Sequence, residues 1–212
     1  MPSGSELLAE LSAAGFRRVA GADEAGRGAA AGPLVAAAVI LPPDVEIAEL
    51  ADSKRLRVKA RERVYAQVVE RALAWAVVEI SPGECDELGM HLADLAGLRR
   101  ALAALDPHPD FAVVDGFEVP GLPFPSLGMW KADQTLAPVS AASVVAKVTR
   151  DRLMAGLAAE YPEYGLEIHK GYCTAEHQRL LEQFGPSPIH RRCFGNVRDA
   201  EAARLCERMN PS

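Results

Sequence analysis

Cysteine is scarce in this chain, and no two cysteines stand in a CxxC spacing: Cys85, Cys173, Cys193 and Cys206 are far apart. They read as reduced thiols, which leaves out a zinc site and a disulfide framework. No apolar run reaches membrane-spanning length, because charges or prolines interrupt each one. The opening Met1-Pro2-Ser3-Gly4-Ser5-Glu6 lacks the basic-then-apolar layout of a secretory leader, so a cytoplasmic location is expected. Internal repeats, low-complexity tracts and linkers are also missing, and residues 1–212 are expected to form one domain. A basic excess is lacking too: 23 Lys and Arg stand against 29 Asp and Glu, a net charge of −6. That total argues against a nucleic-acid partner, but distribution matters more. Lys54, Arg55, Arg57, Lys59, Arg61 and Arg63 crowd one segment, and His169-Lys170 and His190-Arg191-Arg192 form two more knots. Each knot is either a solvated face or, if all three surround one site, a phosphate-binding surface.

What is present is organised around Gly21-Ala22-Asp23-Glu24-Ala25-Gly26-Arg27-Gly28. Phe16 and Val19-Ala20 lead in, and Leu34-Val35-Ala36-Ala37-Ala38-Val39-Ile40-Leu41 leads out, which reads as strand, tight acidic turn, strand. Adjacent carboxylates at a strand end repel unless a cation sits between them, and hard divalent cations take oxygen ligands. Gly26 and Gly28 let a ligand approach the backbone. A solvated turn would use the same residue types.

Around that turn, residues 5–15 form a first helix with Leu7, Leu8 and Leu11 on one side. Ala51-Asp52-Ser53-Lys54 leads into a helix carrying Val58, Val64, Tyr65, Val68, Val69 and Leu73, with a basic opposite face. Residues 74–80 suit a strand. Ser81-Pro82-Gly83-Glu84 starts a helix whose stripe is Leu88, Leu92, Leu95, Leu98, Leu102 and Leu105. Phe111-Ala112-Val113-Val114-Asp115 is a short strand ending in an acid, and residues 118–128 show no periodicity. Residues 139–159 form the most buried helix, with Ser140, Ser143, Lys147 and Arg150 as one polar stripe suited to a phosphate. Both serines could instead mark close helix contacts. Thr174–Phe184 is a short helix with Thr174 as cap, and a weak one follows from Asn196 to Met209. Alternating strands and helices give an α/β or α+β domain with a mixed sheet, its opening pair antiparallel.

Four acids, Asp23, Glu24, Asp115 and Asp133, fall at strand ends or adjoining turns. Converging, they would suit a two-cation site for phosphodiester hydrolysis, with Mg²⁺ or Mn²⁺ as the all-oxygen-ligated ion.

The stretches GADEAGRG (21–28), DSKRL (52–56), VVDGF (113–117), KADQTLAPVSAASVVAKVTRD (131–151), YPEYG (161–165), HKGY (169–172) and GPSPIHRRCF (185–194) occur in this order. With them the chain resembles the type 2 ribonuclease H family, in its bacterial ribonuclease HII branch. The resemblance implies a ribonuclease H-like fold with a mixed five-stranded sheet flanked by helices, and residues 160–212 as a helical C-terminal portion. It implies an endoribonuclease that cuts RNA in RNA–DNA hybrids and nicks 5′ of single ribonucleotides in duplex DNA, leaving 3′-hydroxyl and 5′-phosphate ends, in ribonucleotide removal from DNA. It assigns Asp23, Glu24, Asp115 and Asp133 to Mn²⁺ or Mg²⁺, two ions with substrate bound. It gives the backbone of Gly26, Arg27 and Gly28 to the ribose 2′-hydroxyl, the group that separates RNA from DNA, and Tyr172 to the following deoxyribose. Lys54, Ser140, Ser143, Lys147, His169 and Lys170 are the phosphate-contact candidates. A monomer without a sliding-clamp-binding motif at the C-terminus is expected. Two other classes remain for comparison. A dinucleotide-binding oxidoreductase would use Gly26-x-Gly28-x-x-x-Gly32, but the spacing is off and the acids would repel a pyrophosphate. A duplex-binding protein without chemistry would bind and not nick.

Overall fold

A computed structural model describes residues 4–50 and 56–209. In chain order the larger elements are α1 (Gly4–Ala13), β1 (Val19–Ala25), β2 (Leu34–Ile40), α2 (Val58–Arg71), β3 (Ala74–Ile80), α3 (Pro82–Leu88), α4 (Met90–Ala103), β4 (Phe111–Asp115) and β5 (Ser126–Met129). They continue with α5 (Ala137–Glu160), α6 (Leu166–His169), α7 (Ala175–Phe184) and α8 (Gly195–Met209). The sheet has five strands in the order β3-β2-β1-β4-β5. β1 pairs antiparallel with β2 and parallel with β4, and β4 pairs parallel with β5, so the sheet is mixed as the sequence implied. This is the ribonuclease H-like architecture.

Two compact units divide the chain. The first holds the described residues up to Ala25, with Val35–Glu79 and Asp94–Val148. Its most buried strand is β2, all seven residues of which are buried, as expected of a Leu-Val-Ala-Ala-Ala-Val-Ile run without polar positions. Val113, Ala132, Leu136 and Val139 form a buried cluster, packed by Leu7, Leu8, Val19, Phe111 and Met129. The start of α5 lies directly on β1 at Gly21, where a Cβ would stand 2.1 Å from the Pro138 carbonyl carbon. Only glycine admits that approach, which sets the helix at the height of the acidic strand end.

The second unit holds Gly26–Leu34, Ile80–Ala93 and the described residues from Thr149. One cluster joins Ala31, Met154, Tyr164, Leu166 and Ile189. Another joins Ala30, Leu181, Val197 and Ala200, with Phe194 against it. Each fully buried Leu, Val or Met contributes about 1.5–3 kcal/mol here. The Tyr164 hydroxyl donates to the Gly185 carbonyl at 2.6 Å.

Three expectations change. The leucine stripe of 88–105 belongs to two helices: Gly89 takes φ 74°, its N–H returning to the Cys85 carbonyl, and ends α3 there. Leu88 and Leu92 are accordingly exposed, while Leu98, Leu102 and Leu105 are buried. The stretch 118–128 hides the start of β5. Val58 and Leu73 are exposed, so α2 buries only Val64 and Val68 fully. The caps hold: the Ser81 hydroxyl accepts the Glu84 N–H and the Thr174 hydroxyl that of His177, both at 3.1 Å. Among the described residues no helix is long and apolar enough to cross a membrane.

Candidate active site

The parallel pairing of β1 with β4 puts their C-terminal ends on one edge. Ala22 lies opposite Val114, so Asp23 and Asp115 are the next residues in register. Asp115 in turn lies opposite Met129 of β5, and Asp133 follows four residues later in a 3₁₀ turn, Ala132–Gln134. The Asp133 N–H points to Asp115 Oδ1 at 3.4 Å, a long hydrogen bond. Asp23 and Asp133 are buried.

Burial pushes the Asp23 carboxyl well above the usual range, and the neighbouring charges of Glu24 and Asp115 push it the same way. A hydrogen bond from Ser143 and the Glu24 N–H, 2.8 Å from Oδ1, oppose the shift. The edge thus crowds negative charge into a partly dry place, a situation that a cation relieves. The donor set is all oxygen, which suits Mg²⁺ or Mn²⁺. The four acids are neighbours without forming a closed cage: among the described residues no three His, Cys, Asp or Glu side chains are gathered tightly enough to hold an ion as they stand.

The polar stripe of α5 splits by task. Ser140 is buried and its hydroxyl donates to the Asp133 carbonyl at 2.5 Å, so it fixes the turn carrying that acid. Ser143 turns to Asp23. Lys147 is half-buried, and Arg150 is fully buried, its guanidinium ending on main-chain carbonyls. Neither Ser140 nor Arg150 therefore presents a group to a phosphate. Lys54 lies outside the described residues.

In the second unit, Gly26 has φ 91° and opens the Gly-Arg-Gly loop. Ala29 bridges to Tyr172, and the Ala30 N–H donates to the Gly171 carbonyl at 2.9 Å. Gly171 has φ 80°, and a Cβ there would sit 2.4 Å from the Ala31 carbonyl oxygen, so glycine alone lets the two loops touch. Gly28 is exposed, and a Cβ on it would face the Tyr172 ring at 4.0 Å. Tyr172 is 36% exposed, with the Arg150 guanidinium 5.4 Å from its ring centre. Lys170 is half-buried in the left-handed conformation, φ 51°. The third basic knot is not a surface: His190 and Arg191 are fully buried, and Arg192 pairs with Glu201.

His169 is also buried, and both its ring nitrogens serve the main chain. Nε2 lies 2.7 Å from the Tyr164 carbonyl and Nδ1 accepts the Gly171 N–H at 3.2 Å. No nitrogen is left for a phosphate. It stacks on His177 at 4.3 Å between ring centres. His177 Nδ1 faces the Tyr172 carbonyl at 3.0 Å, so Nδ1 carries the proton and Nε2 accepts. His190 Nε2, 3.2 Å away, must then be the donor, which leaves its Nδ1 to accept the Ser187 N–H at 3.1 Å. His177 and His190 both have to be neutral, since a second proton on either would set N–H against N–H or against an amide.

Burial lowers His177 below the usual histidine value, and burial with the nearby His177 lowers His190 to about 4. A depressed folded-state value means stability that is present above pH 6.5 and is lost as pH falls toward that value. Between pH 6.5 and 5 the unfolding free energy is expected to drop by about 1.5 kcal/mol from His190 alone. Denaturant unfolding across that range checks it, and His190→Gln should flatten the slope; a flat wild-type profile would contradict the neutral network. Sequence reading missed His177, Arg150 and Arg191 as shapers of the Tyr172 loop. Arg150 left a signal in its place on the polar stripe and Arg191 in the third basic knot, whereas His177 left none.

The sequence model described as Ribonuclease HII matches residues 20–197. A ribonuclease HII of Nocardioides sp. is 51% identical over 211 residues, covering 94% of this chain and 88% of that protein. The crystal structure of ribonuclease H2 from Pyrococcus horikoshii aligns with TM-score 0.78 and 30% identity, over 88% of this chain and 98% of the other. The ribonuclease HII of a PCNA complex from Archaeoglobus fulgidus aligns with TM-score 0.69 and 25% identity, over 82% and 94%.

Proposed function

Because this chain belongs to the ribonuclease HII family, and is thus a metal-dependent endoribonuclease acting on RNA–DNA hybrids, we propose that it also nicks duplex DNA on the 5′ side of a single embedded ribonucleotide. The products carry 3′-hydroxyl and 5′-phosphate ends, and the activity serves ribonucleotide removal from DNA. The observation that carries the reading is the Asp23 carboxyl, buried beside Glu24 and Asp115 and three residues before the start of a Gly-Arg-Gly loop.

In this reading Asp23, Glu24, Asp115 and Asp133 hold two Mn²⁺ or Mg²⁺ ions. Bound there, the ions acidify the attacking water and neutralise charge on the leaving oxygen. The chain's own residues do the rest. Ser143 orients Asp23, and Ser140 fixes the Asp133 turn. Main-chain groups of Gly26, Arg27 and Gly28 meet the 2′-hydroxyl, and small side chains leave them accessible. The ring of Tyr172 lies against a deoxyribose, whose missing hydroxyl makes room for it. Lys54, Lys147 and Lys170 contact phosphates without reading sequence. The protein acts as a monomer.

The test is a duplex DNA carrying one ribonucleotide, incubated with Mn²⁺, Mg²⁺ or chelator. Nicking 5′ of the ribonucleotide with either ion and none with chelator is expected. Binding without nicking would favour a chemistry-free binder, and cleavage of long hybrids alone would remove the single-ribonucleotide activity.

A further inference from the structure

Two arginines, Arg150 of α5 and Arg191 after α7, are each fully buried in the second unit. Burying a guanidinium is costly, and a pure packing role would be served as well by an apolar side chain. Both forks instead reach carbonyl oxygens of the segment 26–33, and Arg150 reaches Lys170 as well. Arg150 donates from Nε to Pro33, from Nη2 to Ala31 and from Nη1 to Lys170, each at 3.0 Å. Arg191 donates from Nε to Gly32 at 2.9 Å and from Nη1 to Gly26 at 2.7 Å, with Arg27 at 3.5 Å. The carbonyls of Gly26, Arg27, Ala31, Gly32 and Pro33 are thus gripped from two sides, and Arg150 reaches past them to the residue before Gly171.

The fit is close enough to dictate the neighbouring residues. A Cβ at Gly26 would sit 1.9 Å from Arg150 Nε. Burial depresses the Arg150 value to about 10, which still leaves it charged at neutral pH. A carbonyl gripped by a charged donor cannot rotate its peptide plane freely. The N–H of the next residue, which shares that plane, is therefore held in direction. The gripped Gly26 and Arg27 carbonyls thus orient the N–H groups of Arg27 and Gly28.

We propose that Arg150 and Arg191 are positioning residues that set the ribose-reading geometry of the Gly26–Gly28 loop and of Tyr172 without touching the substrate. This rests on the reading that the loop meets the 2′-hydroxyl. Lysine keeps the charge and much of the volume but loses the planar fork, so it separates positioning from simple burial of a cation.

The experiment measures binding in chelator, so that nothing is cut, to a fluorescent duplex with one ribonucleotide and to its all-DNA twin. The ratio of the two affinities is the readout, because loss of folded protein weakens both apparent affinities alike. Wild type is expected to prefer the ribonucleotide duplex. Arg150→Lys and Arg191→Lys are each expected to bring the ratio toward one, a fall of about tenfold for one misplaced hydrogen bond, with all-DNA affinity unchanged. Variants that keep the wild-type ratio would overturn the positioning role and leave the loop reading standing. A wild type with no preference would remove the loop reading, and this proposal with it. If Arg191→Lys does not fold, by circular dichroism, Arg150→Lys alone decides the question.

Discussion

Asp23→Asn is expected to lower cleavage of RNA–DNA hybrids by about 10³-fold or more, the scale on which loss of a central electrostatic group is felt. The fold should survive, because the substituted amide keeps an oxygen for the Glu24 N–H that now meets Oδ1 at 2.8 Å. Metal-free stability should rise. The wild-type carboxyl is desolvated and sits among the charges of Glu24 and Asp115, and the amide removes both penalties. A gain of about 1 kcal/mol, or some 2–4 °C in the thermal midpoint, is the expected size for a chain of this length. Added Mn²⁺ should then raise the wild-type midpoint more than that of the variant. Asp115→Asn, one strand across, should behave alike in turnover. Retained turnover in either variant would remove the acidic edge from the reaction.

Tyr172→Ala is expected to cut incision at a lone ribonucleotide by about 10²-fold while hybrid cleavage falls by less than about tenfold. The reason for unequal losses is that a long hybrid offers many registers, whereas a single junction offers one. The substitution should be local. The Tyr172 N–H donates to the His169 carbonyl at 3.0 Å and its own carbonyl meets His177, so the main chain stays fixed without the ring. Tyr172→Phe, which keeps the flat face, should stay within a few-fold of wild type on the same junction. Side-by-side turnover on the two substrates decides it; equal losses would assign Tyr172 to general duplex binding.

Much of the acidic edge was legible because its residues speak locally. Asp23 and Glu24 close an apolar run, and β2 repeats that pattern without a polar position, so strand, turn and strand follow. The caps at Ser81 and Thr174 were legible for the same reason, their partners being three residues away. β5 was not: it has four residues, no fully buried position and prolines just before it, so no alternation marks it. The break at Gly89 was hidden by leucines that continue in helical register on both sides. Ser140, His169 and Arg191 looked like phosphate ligands or a basic surface because polar residues near a metal motif usually are. They meet carbonyl oxygens at 2.5–2.7 Å, and a carbonyl acceptor leaves no mark in sequence spacing.

The arginine grip also bears on when the protein becomes competent during synthesis. Arg150 and Arg191 reach back 117 to 165 positions to their acceptors. Strands β1 and β2 can pair soon after both have emerged from the ribosome, but the adjoining loop acquires its final shape only once residue 191 has been added. If the loop reads the sugar as proposed, that ability is acquired only after residue 191 has been added, later than the residues that carry the carboxylates.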